Sequence, residues 1–157
     1  MNKYSIIPAT LDNAKVLTGI IANLLEDFNL KSGASFNIDL SEIETTCRLL
    51  LPRENFAAFI AKKSTDLAPI GMITIAQATA IYNGGDFGVI TELYVKDEYR
   101  STGIGKLLIN EALGFAKSRS WKKVEVGAPN KTEWPRTIEF YKKNGFEEKG
   151  TKLRINI

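Results

Sequence analysis

The chain has no histidine and a single cysteine, Cys47, among its 157 residues. Without histidine there is no Ser-His-Asp triad, no imidazole base and no histidine-ligated metal. One cysteine excludes an intrachain disulfide and a thiolate zinc site. A general base must then be a carboxylate, a tyrosine, a lysine or a relayed water. Long apolar runs are missing too. None approaches the roughly 20 residues that span a bilayer, so no membrane partner is expected. Met1 to Pro8 holds no long apolar segment of the secretory kind. Together with the lone cysteine, this fits a cytoplasmic location.

What is present is ordinary in amount and uneven in place. The chain is 44% hydrophobic and 25% charged, as expected for a soluble globular protein. No linker, repeat or low-complexity tract divides it, and the length predicts one domain over residues 1–157. The net charge is +3, but residues 1–95 carry 7 Lys+Arg against 10 Asp+Glu, and residues 96–157 carry 14 against 8. The basic residues are spread out, with no recognition-helix pattern and no aromatic stacking motif, so no nucleic-acid partner is expected.

Lys3 to Ile7 reads as a short strand stopped by Pro8. Thr10 or Asp12 can cap a helix that places Val16, Leu17, Ile20, Ile21, Leu24, Leu25 and Phe28 on one face. Asn29 to Leu40 reads as a loop. Ser41, with Glu44 as capping-box partner, opens a second helix whose stripe is Ile43, Thr46, Cys47, Leu50 and Leu51. Cys47 thus reads as a buried apolar residue rather than a nucleophile. Asn55 to Lys63 and Ile70 to Tyr82 read as antiparallel strands, followed by the turn Asn83-Gly84-Gly85-Asp86 and a strand from Val89 to Val95. A helix from Ile104 to Arg119, a short strand within Lys123 to Ala128 and a helix between Pro135 and Gly145 follow. Phe146 to Ile157 is predicted to form a terminal hairpin or a single strand.

The segment Arg100-Ser101-Thr102-Gly103-Ile104-Gly105-Lys106 joins a buried strand to an amphipathic helix. A glycine turn at a helix start aims several N–H groups at one point, where the helix dipole adds positive charge. Phosphate or pyrophosphate suits such a site. Gly103 and Gly105 let a ligand approach the backbone, and Arg100 and Lys106 flank the turn with cations. A Rossmann reading fails because Leu108 stands where the third glycine of Gly-x-Gly-x-x-Gly belongs. A P-loop fails because no Gly-Lys-Ser/Thr follows at the needed spacing.

The run from Thr91 to Leu108 closely resembles the acetyl-CoA motif of the GNAT N-acetyltransferases, Gln/Arg-x-x-Gly-x-Gly/Ala between a strand and a helix. The run Phe140-Tyr141-Lys142-Lys143-Asn144-Gly145-Phe146 resembles their second signature, Phe-Tyr-x-x-x-Gly-Phe. The element order agrees over nearly the whole chain. The resemblance implies an α+β fold, a mostly antiparallel twisted sheet flanked by helices in the order β-α-α-β-β-β-α-β-α-β, with one further strand if the terminal hairpin forms. It implies acetyl transfer from acetyl-CoA, a co-substrate, to an amine without a metal.

By family position, Arg100, Ser101, Thr102, Gly103, Ile104, Gly105 and Lys106 bind pyrophosphate through backbone amides. Leu93, Tyr94 and Val95 pair with the pantetheine arm, and one of their amides lies near the thioester oxygen. Tyr141 matches the tyrosine that often protonates the CoA thiolate. Strand alternation predicts Ile90, Glu92 and Tyr94 on one face and Val89, Thr91, Leu93 and Val95 on the other. Glu92 is the one acid of that strand. It is the candidate base, directly or through water, or else a rim charge that attracts a cation. Glu26, Asp27, Asp39 and Asp86 are further candidates for the acceptor site. One departure stands out: Trp134 occupies the position where many relatives have Asn, so that contact does not carry over, and Trp134 is core or a stacking surface.

The expected acceptor is a small-molecule amine. The competing readings are a protein lysine or N-terminal amine acceptor, and a non-catalytic acyl-CoA sensor. A homodimer is compatible with the resemblance, since dimers are common in the family.

Overall fold

Five strands pair into one sheet in the computed structural model, which describes residues 2–150 and 153–157. These are β1 (Tyr4–Pro8), β2 (Phe56–Lys63), β3 (Pro69–Ala80), β4 (Gly85–Val95) and β5 (Val124–Val126), in that spatial order. The first four pair antiparallel. β5 joins β4 in parallel, which requires a crossover, and helix α3 (Ile104–Ser118) supplies it. Pro8 closes β1 on the outer edge of the sheet, where a missing N–H is tolerated. The predicted mostly antiparallel α+β architecture is the one observed.

Helices α1 (Ala14–Ser32) and α2 (Leu40–Leu50) cover one face of the sheet. Leu17 and Ile20 of α1 and Cys47 of α2 pack there on Ala58, Ile60, Met72 and Tyr94. The other face carries α3, whose Ile104, Leu108, Ile109, Ala112 and Ala116 meet Phe59, Ile73, Ile75 and Ile90. Helix α4 (Pro135–Lys143) adds Tyr141 to this second core. Pro135 stands in its first turn, where no N–H is needed. Among the described residues no helix is long and apolar enough to cross a membrane.

Four local expectations change. α1 runs on to Ser32 and stops at Gly33, so it takes up the start of the predicted loop from Asn29. The cap of α2 is Asp39, not Ser41: its Oδ1 accepts the N–H groups of Ser41 at 3.0 Å and Glu42 at 3.1 Å. A carboxylate at a helix start also gains from the dipole. Glu44, the predicted capping-box partner, instead binds Arg48 one turn on at 2.7 Å. β3 ends at Ala80, because Ile81–Asn83 form a single 3-10 turn.

The fourth change is the predicted terminal strand. Thr151 and Lys152 lie outside the described residues, and 144–150 and 153–157 form no strand. Among the described residues of this segment only Phe146 packs on the core, against the Tyr141 ring. Glu147 and Glu148 pair with Lys149 and Lys142 in solvent, and Leu153, Ile155 and Ile157 are exposed.

Candidate active site

The glycine turn begins after a 3-10 turn, Asp97–Tyr99, and ends at the first residue of α3. Ser101 and Gly103 both take left-handed backbone conformations, with φ of 61° and 91°. Thr102 Oγ1 donates back to Tyr99 O at 2.5 Å and fixes the loop. Intrahelical pairing starts only at Leu107, whose N–H donates to Gly103 O at 3.1 Å. Among the described residues no protein acceptor takes the N–H groups of Ser101, Thr102, Gly103, Ile104, Gly105 or Lys106. These are the donors an anion needs, and they stand at a helix N-terminus. An added Cβ at Gly103 would meet nothing within 4 Å, so the space beside it is open.

Three residues at this turn are engaged within the protein. Ile104 is buried in the core, so only its backbone can face a ligand. Gly105 is tight against protein: a Cβ there would sit 2.8 Å from Phe140 Cζ. Arg100 is not a free cation. Its Nη2 donates to Asp27 Oδ2 at 2.8 Å, its Nη1 pairs with Asp97 Oδ1 at 2.5 Å, and its Nε donates to Val95 O at 2.8 Å. The guanidinium also lies 5.6 Å from the Tyr94 ring centroid. Arg100 thus ties α1, β4 and the turn together, while Lys106 is exposed at the turn.

β4 departs from regular pairing just before this turn. Thr74 pairs with Glu92 and Ile75 pairs with Ile90, so Thr91 is one residue too many. This is a β-bulge. It corrects the predicted alternation: Ile90 faces α3, while Glu92 and Tyr94 face α1 and α2. An extra residue between Ile90 and Glu92 sends them to opposite faces.

The parallel ladder to β5 ends at the Ile90–Val126 pair, and β4 continues to Val95 with no partner on that side among the described residues. Glu92 N–H donates to Thr74 Oγ1 and Lys96 N–H to Ile70 O, both toward β3. Alternation therefore turns Leu93 and Val95 to the open edge. Val95 O is already taken by Arg100, which leaves Leu93 with both backbone groups available there.

Glu92 projects into a cavity of about 270 Å³ between α1, α2 and the sheet. Leu17, Ile21, Ile43, Leu50 and Phe56 form apolar walls, and Asn37, Asp39, Glu42, Thr46 and Thr74 add polar groups. Among the described residues no Lys or Arg lines it. Glu92 Oε2 accepts hydrogen bonds from Thr74 Oγ1 and, at 2.6 Å, from Thr91 Oγ1. Cys47 lies in the wall, and burial pushes its thiol up, with Glu92 and Glu44 adding to the effect.

Of the other candidate acids, Asp39 lines this cavity and three do not. Asp27 is held by Arg100 and Lys31, Asp86 accepts the Thr79 hydroxyl at 2.6 Å, and Glu26 is not in the lining. Asn37, Glu42 and Thr74 were not singled out from sequence. Glu42 sits one turn before Thr46 on the predicted stripe, a signal that was there to find. Thr74 shows itself only once the strands are paired.

Tyr141 is 8% exposed and stacks edge-on to Phe146 at 5.6 Å between centroids. Burial pushes its phenol up to about 12, so it stays protonated through the neutral range. It belongs to the α3-side core, and no described contact joins it to Glu92 on the other face. Trp134 precedes α4 and is a stacking surface: its ring lies 5.2 Å from Phe28, with Lys31 Nζ 5.0 Å away.

The fourth strand of the sheet parts from the fifth beside a glycine turn whose N–H groups have no protein acceptor among the described residues. Residues 54–148, more than half the chain, match the family described as acetyltransferase (GNAT) domain. The chain belongs to the GNAT acetyltransferases. It is 48% identical over 62 residues to an uncharacterized N-acetyltransferase of Methanocaldococcus jannaschii, covering 38% of this chain. The match spans about a quarter of that relative's length, 26%.

Solved structures agree in fold. An aminoglycoside N-acetyltransferase in complex with CoA superposes with a TM-score of 0.81 at 15% identity, covering 98% of this chain and 94% of that one. A ribosomal-protein-alanine N-acetyltransferase from Brucella melitensis biovar Abortus 2308 gives 0.72 at 19%, covering 98% and 99%.

Proposed function

We propose that the chain moves the acetyl group of acetyl-CoA directly to a primary amine of a small cationic molecule, with both substrates bound together. The cavity carries this reading: Glu92, Asp39 and Glu42 meet there on apolar walls, and no basic residue among those described lines it. Such a lining favours a molecule with more than one ammonium group and disfavours anions. Its neighbour in fold, an aminoglycoside acetyltransferase, handles an acceptor of that kind.

The open N–H groups from Ser101 to Lys106 suit the pyrophosphate, and the free edge of Leu93 suits the amide-bearing arm. When bound, acetyl-CoA supplies the activated thioester. Glu92 takes a proton from the acceptor ammonium, because only the neutral amine attacks. An amide of the Leu93–Val95 segment facing the thioester oxygen stabilises negative charge developing there, by a few kcal/mol in comparable sites. Tyr141, by family position, donates its proton to the departing thiolate; burial keeps it protonated at neutral pH and also makes it a weaker acid than a free tyrosine.

The test is thiol release from acetyl-CoA with sisomicin, spermidine and a lysine-containing peptide offered separately. Turnover with the polyamines and none with the peptide supports the reading. Turnover with the peptide alone replaces it with the protein-acceptor reading. An acyl-CoA sensor is recognised by ligand binding without turnover and by a Glu92→Gln variant that responds to ligand as the parent does.

A further inference from the structure

Strand β3 is apolar through Ile70, Met72, Ile73 and Ile75, and one hydroxyl interrupts it at Thr74, 1% exposed. A buried hydroxyl is unfavourable unless it is hydrogen-bonded, and valine would fill the same volume. Thr74 stands opposite the bulge and lines the cavity. Three groups surround its oxygen: Glu92 N–H at 3.0 Å, Thr91 Oγ1 at 2.8 Å and Glu92 Oε2.

Proton counting assigns the directions. A hydroxyl holds one proton and two lone pairs, a backbone N–H only donates, and an ionised carboxylate only accepts. Thr74 Oγ1 therefore accepts from Glu92 N–H and donates to Glu92 Oε2. The Thr91 hydroxyl, 2.6 Å from the same Oε2, donates there as well. The Glu92 N–H is thereby bonded to a side chain, at the point where the bulge interrupts regular pairing. Two hydroxyl protons converge on Oε2, and among the described residues no donor reaches Oε1.

We propose that Thr74 is a positioning residue for Glu92: it locks Oε2 from the neighbouring strand and leaves Oε1 as the atom that takes the acceptor's proton. This rests on Glu92 being the base. Thr74 touches no reacting atom in this scheme. It acts through the carboxylate and through the backbone of the bulge, with Thr91 as the second arm of the clamp.

The experiment uses the whole protein with glutamate labelled with ¹³C at Cδ. The Glu92 signal is the one that Glu92→Gln removes. Thr74→Val is expected to move both this signal and the Glu92 amide proton signal, and Thr74→Ser to return both toward the parent. Thr91→Val is expected to move the carboxylate signal and spare the amide. Thr74→Ala is the second hydroxyl-free variant should the valine protein not fold.

With acetyl-CoA and sisomicin, Thr74→Val is expected to lower kcat about tenfold, since a hydrogen bond to a charged group is lost, and to leave the KM for acetyl-CoA unchanged. Unmoved Glu92 signals in folded Thr74→Val and Thr74→Ala proteins overturn the clamp. A kcat unchanged by Thr74→Val while Glu92→Gln is crippled overturns its positioning role. If Glu92→Gln turns over at the parent rate, the base assignment falls instead, whatever the Thr74 result.

Discussion

Gly105→Ala is expected to change the sign of its effect on stability with the residue at position 140. Gly105 lies in the first turn of α3, under the ring of Phe140. A Cβ there would lie 2.8 Å from Cζ, 3.1 Å from Cε2 and 3.7 Å from Cε1 of that ring. Two of the three distances are too short for carbon contacts, so the ring and α4 with it must shift. Overpacking of this kind costs about 1–3 kcal/mol. Against it stands the helix preference for alanine over glycine, about 0.8–1 kcal/mol. The net expectation is a loss of about 1 kcal/mol in the parent.

In a Phe140→Leu background the end of the ring is gone and the helix preference is left alone. There Gly105→Ala should stabilise by about 0.5–1 kcal/mol. Urea unfolding of the four proteins of this cycle, at constant m-value, measures a coupling of about 1–2 kcal/mol. An equal effect of Gly105→Ala in both backgrounds would refute the contact, and with it the claim that this glycine is kept for helix packing rather than for a ligand.

Gly103 is the opposite case: its φ of 91° strains any other residue, and open space lies beside it. Gly103→Val should therefore fold, lose about 2 kcal/mol of stability and weaken CoA binding at least 100-fold by calorimetry; unchanged affinity removes the turn from the site. Burial pushes the Tyr141 phenol up from 10.0 to about 12 in the folded protein. The unfolded chain thus ionises first as pH rises. The stability this burial confers is complete below pH 10 and is lost toward pH 12, by about 2–3 kcal/mol, and Tyr141→Phe should abolish that component in pH-dependent unfolding. Asp39→Asn and Glu42→Gln should each raise the KM for spermidine several-fold and change the KM for a monoamine little; equal effects on both amines would discount the charge of the cavity. Asp39→Asn keeps a helix-capping side chain, so its fold is expected to persist.

The turn was legible in the sequence because its chemistry is local. Gly103, Gly105 and the flanking strand and helix occupy consecutive residues, and the apolar stripes of α1 and α2 repeat at helical spacing. The cavity around Glu92 was legible only in part. Its acids come from the α2 cap, the first turn of α2 and β4, which meet only after the sheet is assembled. The bulge at Thr91 depends on the register between two strands, which no single strand's pattern records, and it reversed the face assigned to Ile90. The tail misled for a related reason. Leu153, Ile155 and Ile157 alternate as a strand does, but 153–157 pair with none of the five strands and those three side chains stay exposed. Gly105 looked like a ligand contact because its reason, the Phe140 ring, lies 35 residues away in the chain.

The most direct test of the central claim is a titration of the ¹⁵N-labelled protein with acetyl-CoA, read at the backbone amides. The account expects the largest shifts at Ser101 to Lys106 and at Leu93, with Ile81 to Asn83 at the far end of β4 unmoved. Shifts that spare the turn and Leu93, or no saturable shift at all, would contradict it.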